Sequence, residues 1–169
     1  ITYGSYLEVY CECNSPEAEA KLFRNGTDVS LLNGTGVLLG AGEYEFVCNV
    51  SSTENYTNAS NTSSFTVDKA ATLLTLNASP GWSLTYPVES NVSCNASHSE
   101  AVSTLYRNGT PVSNPDVQIL GVGDYNYTCV MSESENYTFA NVTNTLVVGL
   151  NDTLSCNLTF NESSPITYG

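Results

Sequence analysis

Apolar and polar residues alternate along most of this chain with a period of two. Such alternation is typical of half-buried β-strands, and no stretch sustains the 3.6-residue period of an amphipathic helix. The pattern therefore predicts many short strands, each with one inward face. The residues predicted to share inward faces are Leu7, Val9, Cys11 and Cys13; Tyr44, Phe46 and Cys48; Tyr125, Tyr127 and Cys129; and Leu154, Cys156, Leu158 and Phe160.

Turn residues interrupt these alternating segments at regular intervals. Asn-Gly is a strong hairpin signal because both residues accept the positive φ angles of a tight turn. Short strands separated in this way predict an all-β fold of antiparallel β-sandwiches. The turn signals are Asn25-Gly26, Asn33-Gly34, Asn108-Gly109, the Gly40/Gly42 pair and the Gly121/Gly123 pair.

The chain also contains an internal repeat, visible when "CNSPEAEAKLFRNGT" is set beside "CNASHSEAVSTLYRNGT" and "LLGAGEYEFVCNVSSTENYT" beside "ILGVGDYNYTCVMSESENYT". Cys13 aligns with Cys94 and Cys48 with Cys129, both at an offset of 81 residues. Arg24 aligns with Arg107 at an offset of 83, so this alignment puts a two-residue length difference in the first loop. Repetition at this period predicts two related domains.

A third match joins the two ends of the sequence. The segment "LTLNASPGWSLTYP" resembles "LTFNESSPITYG", and "ITYG" occurs at both residues 1–4 and residues 166–169. We therefore expect a repeating polypeptide with a period of 165 residues. The predicted domains are 1–69, which lacks its own first strand; 70–150, which is complete; and 151–169, which opens the next copy of the first domain. Either the preceding repeat or a neighbouring subunit would donate the missing strand.

Composition narrows the possible partners. Charged residues make up 12% of the chain and the net charge is −13. Only four Lys and Arg residues are present, too few to neutralise nucleic-acid phosphates, so we expect no nucleic-acid partner. No run of eighteen apolar residues occurs, so no transmembrane segment is predicted in these residues.

Six cysteines indicate an oxidising, extracellular compartment. Zinc is the competing interpretation, but His98 is the only histidine and no quartet of ligands has the spacing of a zinc site. Disulfides are therefore favoured.

The motif "LYRNGTPV" followed by "LGVGDYNYTC" resembles the C strand, turn and F strand of an immunoglobulin-like (Ig-like) domain. The Asn/Tyr/Thr-rich style also resembles tandem Ig-like repeats of archaeal surface proteins. The resemblance implies inter-sheet disulfides Cys13–Cys48 and Cys94–Cys129, with Tyr44 and Tyr125 as corner tyrosines. Leu22 and Leu105 occupy the place of the strand-C tryptophan.

This pairing leaves Cys11 and Cys156. Both are predicted to face inward, and we expect Cys156 to bond to Cys11 of the following copy. The alternative is that both remain buried free thiols.

N-glycosylation sequons dominate the polar surface. Sixteen of the nineteen asparagines lie in sequons, whereas chance would leave about five. Asn-Gly turns explain a few of these positions but not the total. Several of the asparagines alternate out of phase with the apolar positions, as solvent-facing acceptors must. The candidate sites are Asn25, Asn33, Asn49, Asn55, Asn58, Asn61, Asn77, Asn91, Asn95, Asn108, Asn126, Asn136, Asn141, Asn151, Asn157 and Asn161.

Catalytic and metal-binding patterns are poor. A single histidine gives no convincing nucleophile–base set, so an enzyme is not expected. We expect no cofactor and no metal site, although a pair such as Glu133 and Glu135 leaves weak calcium binding open. The favoured function is a structural unit of a glycosylated extracellular filament, stalk or surface layer whose partners are neighbouring copies of itself. The alternative is an adhesin or receptor ectodomain that binds a protein or carbohydrate through its loops.

Overall fold

The computed structural model describes residues 1–160 and is built from β-strands, with one short 3-10 helix at Ser30–Leu32. No helix within these residues has the length and apolar character needed to cross a membrane. The fold is all-β, as the alternation predicts. The strands are β1 Tyr6–Leu7, β2 Ala20–Arg24, β3 Thr27–Asp28, β4 Val37–Leu38, β5 Gly42–Val50, β6 Ala59–Val67, β7 Leu74–Ser79, β8 Ser83–Thr85, β9 Ser90–Ala96, β10 Ser103–Arg107, β11 Thr110–Val112, β12 Asp116–Gln118, β13 Gly123–Met131 and β14 Ala140–Gly149.

The second domain is a β-sandwich. One sheet has the strand order β11-β10-β13-β14-β8 and the other has the order β12-β9-β7. The Cys94–Cys129 disulfide joins the two sheets with a Cα–Cα distance of 5.6 Å, as the Ig-like resemblance implies. Around it Val92, Leu105 and Tyr127 are fully buried, so Leu105 fills the space where the family places tryptophan.

The first domain has the same plan with one strand position unfilled by any described residue. Its main sheet has the order β3-β2-β5-β6, whereas the second sheet contains only β1 and β4. The N-terminal residues are in place, because Thr2 forms a parallel bridge with Asp68 just as β8 runs parallel to β14. The unfilled position is therefore the one that β7 occupies in the second domain.

The disulfide of the first domain differs from the expected one. Cys11, not Cys13, is bonded to Cys48, with a Cα–Cα distance of 5.3 Å. The predictions of a Cys13–Cys48 bond and of a bond from Cys156 to Cys11 of another copy are therefore both wrong. Within residues 1–160, Cys13 and Cys156 are exposed free thiols.

The position of the two-residue length difference explains this error. Cys11 and Leu22 are each 83 residues before their counterparts Cys94 and Leu105, so the first loop has the same length in both domains. The two additional residues of the first domain lie after β2, in the segment that contains the 3-10 helix. Because Cys11 and Cys13 share one strand face, the period of two could not choose between them.

An asparagine clamp fixes the cysteine that leads each disulfide. The Asn33 side chain accepts a hydrogen bond from the Cys11 N–H and donates one to the Cys11 carbonyl, both at 2.8 Å. Asn114 makes the same pair of bonds to Cys94, at 2.9 and 2.7 Å. The correspondence of Asn33 and Asn114 independently supports the equivalence of Cys11 and Cys94.

Local sequence signals set the remaining geometry. Asn25 and Gly26 both have positive φ angles, as do Asn108 and Gly109, so each pair closes a two-residue hairpin. The Tyr44 and Tyr125 hydroxyls donate hydrogen bonds to the carbonyls four residues before them, at 2.9 and 3.0 Å. These are the corner contacts that the resemblance implies.

The segment 151–160 follows β14 without forming a strand, and every residue in it is exposed. Leu154, Cys156, Leu158 and Phe160, predicted to share an inward face, therefore face solvent here. Residues 161–169 lie outside the described part of the chain, and with them Asn161 and the rest of the predicted strand.

Candidate functional site

The sequon asparagines cover both sandwiches. Asn136 is half-buried, and Asn161 lies outside the described residues. The others are exposed: Asn25, Asn33, Asn49, Asn55, Asn58, Asn61, Asn77, Asn91, Asn95, Asn108, Asn126, Asn141, Asn151 and Asn157. Exposure is the condition that a glycan requires.

Two of these asparagines are in special positions. The Asn33 amide is already bonded in the clamp on Cys11. Asn61 lies directly opposite Cys48 in the β5–β6 register, so its side chain lies on the face turned toward the sandwich interior. Its counterpart in the second domain is Val142, which packs against the core. Asn61 is exposed because the strand position beside it is unfilled by described residues.

The Asn-Gly asparagines have a structural role that leaves room for a sugar. The Asn25 side-chain oxygen accepts a hydrogen bond from the Glu45 N–H at 2.8 Å, and Asn108 does the same for Asn126. Glycosylation uses the amide nitrogen, so the turn bond and a glycan are compatible.

The junction between the two domains is the most elaborate polar contact in the described chain. Ala70, in the linker, donates its N–H to the Asn136 carbonyl, and its own carbonyl accepts the Thr138 N–H, both at 2.9 Å. The loop between β13 and β14 therefore binds the linker as a short parallel bridge. Lys69 adds an ion pair with Glu133 and a hydrogen bond to the Ser134 carbonyl.

Aromatic side chains fill the junction beneath this bridge. The Tyr137 ring stacks on His98 with centroids 3.5 Å apart, and it meets Tyr3 of the first domain edge-on at 5.4 Å. The Asn136 amide accepts the Ala41 N–H at 2.8 Å and donates to Glu100 at 3.2 Å. Desolvation and the Glu100 charge raise the pKa of Tyr3, so its phenol stays neutral at the junction.

The opposite end of the first domain carries an open groove at the equivalent location. Its volume is about 410 Å³, and its lining includes Cys13, Val50, Tyr56 and Asn61. In the second domain, the corresponding space is covered by the linker and β7. Two chemistry-bearing features, the free Cys13 thiol and the groove, therefore coincide where one strand position is unfilled by described residues.

A buried ionic cluster distinguishes the second domain. Asp116 is 2% exposed and accepts hydrogen bonds from Arg107 at 2.7 Å and from the Tyr127 hydroxyl at 2.8 Å. Burial, followed by the hydrogen bond to Asp116, raises the pKa of Tyr127 to about 12. Sequence reasoning missed this cluster. The available signal was that Phe46 replaces Tyr127 in the first domain, where the counterpart of Asp116 is Thr35.

Metal-binding clusters do not occur in residues 1–160, where no group of three or more His, Cys, Asp or Glu residues could hold an ion. Glu133, considered for calcium, is paired with Lys69, and His98 lies against Tyr137. These side chains position the domains.

Comparisons with known proteins give a general likeness. No family model matches the sequence, and no curated protein matches it significantly. Fibronectin(III)-like modules of Clostridium thermocellum CbhA are 7% identical over 88% of this chain and 87% of theirs, with a TM-score of 0.37. Bacteroides ovatus SGBP-B, in complex with a mixed-linkage heptasaccharide, is 10% identical over 89% of this chain and 42% of its own, with a TM-score of 0.35. Murine CEACAM1b is 10% identical over 85% and 95%, with a TM-score of 0.33.

Proposed function

We propose that this chain is a structural repeat unit of an N-glycosylated extracellular filament, stalk or surface layer, with no catalytic role. One observation carries the proposal. In the first domain no described residue fills the strand position that β7 fills in the second. A sandwich with an open strand position is stabilised by accepting a strand from a neighbour, and repetition of that step builds a linear array.

The sequons support a carbohydrate coat. Exposed acceptor asparagines occur on both domains, on strands as well as turns. Only 12% of the residues are charged, about half the usual share. Glycan hydroxyls would supply the hydration that charged side chains supply on most protein surfaces.

The disulfides support an extracellular location. Cys11–Cys48 and Cys94–Cys129 each join the two sheets of a sandwich. Structural disulfides of this kind persist in oxidising compartments and are rare in the cytosol.

Denaturing, reducing electrophoresis of the protein from its natural source tests the array. We expect either a very large species, which means covalent tandem repeats, or a band near 18.1 kDa plus sugar that assembles by strand exchange. Intact mass before and after enzymatic deglycosylation tests the coat, and we expect a large loss of mass. A monomeric, sugar-free chain contradicts the proposal. Glycopeptide maps that leave one whole sandwich face bare favour an adhesin instead.

A further inference from the structure

The free end of the first domain repeats the surface with which the second domain binds the linker. The Thr53 N–H donates to the Tyr56 carbonyl at 2.9 Å, as Ser134 does to Tyr137 at 3.0 Å. The Asn55 amide donates to Glu17 at 3.1 Å, as Asn136 does to Glu100. Both loops are therefore held in the same conformation, and only the second has a described occupant.

The second domain shows what that occupant does. From the bridge at Ala70 the chain continues into β7, which pairs with β9 so that Leu74 lies opposite Ala96 and Leu76 opposite Cys94. At the 83-residue offset, Ala96 corresponds to Cys13 and Cys94 to Cys11.

The described chain offers a matching segment. Leu154, Leu158 and Phe160 are 91%, 81% and 83% exposed, and they alternate with polar residues. Together with Cys156 they form the apolar face of a strand that has no partner among residues 1–160. The segment also follows β14 as the linker and β7 follow β6, and it resembles that stretch in sequence.

We propose that residues 151–160 of a second copy of this chain fill the groove of the first domain, with Cys156 opposite Cys13 and bonded to it. In this register Leu158 lies opposite Cys11 and Phe160 opposite Val9, so the apolar face is buried. The Asp152 backbone takes the place of Ala70, between the Asn55 carbonyl and the Thr57 N–H. The inference rests on the proposed function and adds the donor segment, its register and its covalent lock.

The bond is geometrically and chemically accessible. Directly opposed residues of antiparallel strands have Cα atoms about 4.5–5.5 Å apart, within the range of disulfides. A low-molecular-weight disulfide such as oxidised glutathione is the oxidant. The two thiols give up two protons and two electrons, one S–S bond forms, and the oxidant leaves as two thiols.

The test uses the whole 169-residue chain in a glutathione redox buffer, with the variants C13S and C156S. Both cysteines are exposed, so the substitutions leave the cores intact. We expect a ladder of disulfide-linked oligomers from the wild type and only monomers from each variant alone. An equimolar mixture of the two variants should give a single dimer, with a peptide that joins Cys13 to Cys156.

A second pair of variants tests strand addition separately from thiol chemistry. Leu158→Asp puts a charge on the buried face and should slow the Cys13–Cys156 bond at least about tenfold. Asn157→Asp adds the same charge on the opposite face of the strand and should leave the rate unchanged.

Several results overturn the inference. These are Cys13–Cys13 or Cys156–Cys156 bonds, a Cys13–Cys156 bond within one chain, free thiols at both positions in the oxidised wild type, or equal rates for L158D and N157D. A chain that assembles with both thiols free overturns this register and leaves the proposed function standing. A monomeric, sugar-free native protein overturns the proposed function itself.

Discussion

Single residues decide which sequons can carry a sugar. Asn49 and Asn61 lie on neighbouring strands, but Asn49 is on the solvent face and Asn61 is turned toward the interior beside Cys48. If the groove is filled by a strand, a glycan at Asn61 has no space. Sequon counting alone treats the two positions alike.

We therefore expect Asn61 to be unmodified in the assembled native protein and Asn49 to be glycosylated. Glycopeptide mapping after proteolysis measures both occupancies in one sample. Substantial glycan at Asn61 in assembled material would contradict the filling of the groove.

The Tyr127–Asp116 contact predicts a pH dependence confined to the second domain. Its folded-state pKa of about 12 lies above the ordinary value of 10.0. The stability gained by keeping this phenol neutral is therefore complete below about pH 10 and is lost as the pH rises through about 12.

Replacing Tyr127 with Phe should lower the free energy of unfolding by about 1.5–3 kcal/mol near neutral pH, because a hydrogen bond to a buried carboxylate is lost. The difference from wild type should shrink at high pH. Urea unfolding followed by the fluorescence of Trp82, which lies 6.4 Å from the Tyr127 ring, measures this. Tyr86→Phe, at an exposed position, is the control, and an equal effect from it would refute the assignment.

At the level of elements, the two domains differ in how their equivalent strands are supported. β9 is hydrogen-bonded along seven residues by β12 and β7, whereas β1 has two residues and pairs only with β4 among the described strands. A strand with one free edge opens more readily to solvent.

Amide hydrogen exchange should show this difference in a monomeric chain with Cys13 and Cys156 both replaced by serine. Amides of residues 7–13 should exchange at least about tenfold faster than those of 90–96. β5 and β13, each flanked by two strands, serve as the matched pair and should be similar. Equal protection of 7–13 and 90–96 would mean that the first domain is closed without a donor.

The sequence predicts elements better than it predicts their registers. Alternation and Asn-Gly pairs predict the strands, both hairpins and the corner tyrosines because each depends on neighbouring residues. The choice between Cys11 and Cys13 depends on where a two-residue difference falls, which only the Asn33 clamp and the position of β2 reveal. The contacts of Tyr137 and Asp116 join residues distant in sequence, so no local pattern indicates them.

For the whole molecule, the stacked junction sets the angle between domains. Replacing Tyr137 with Ala removes contacts to His98 and Tyr3 that are worth about 0.5–1.5 kcal/mol per aromatic pair. We expect a wider spread of interdomain orientations, measurable by residual dipolar couplings. Tyr56→Ala, at the equivalent position of the free end, should leave that spread unchanged and weaken only the association of copies. If both variants behave alike, Tyr137 does not set the angle.

The parallel pairing of β8 with β14 has a mechanical consequence. One strand lies near the beginning of the second domain and the other at its end, and Ser83, Leu84 and Thr85 lie opposite Val147, Val148 and Gly149. Tension applied along the polypeptide pulls these two strands past each other lengthwise, so their hydrogen bonds bear the load together and do not peel apart one by one. The first domain repeats the arrangement at Thr2 and Asp68. A cable of such units would resist rupture well beyond what its small cores alone provide.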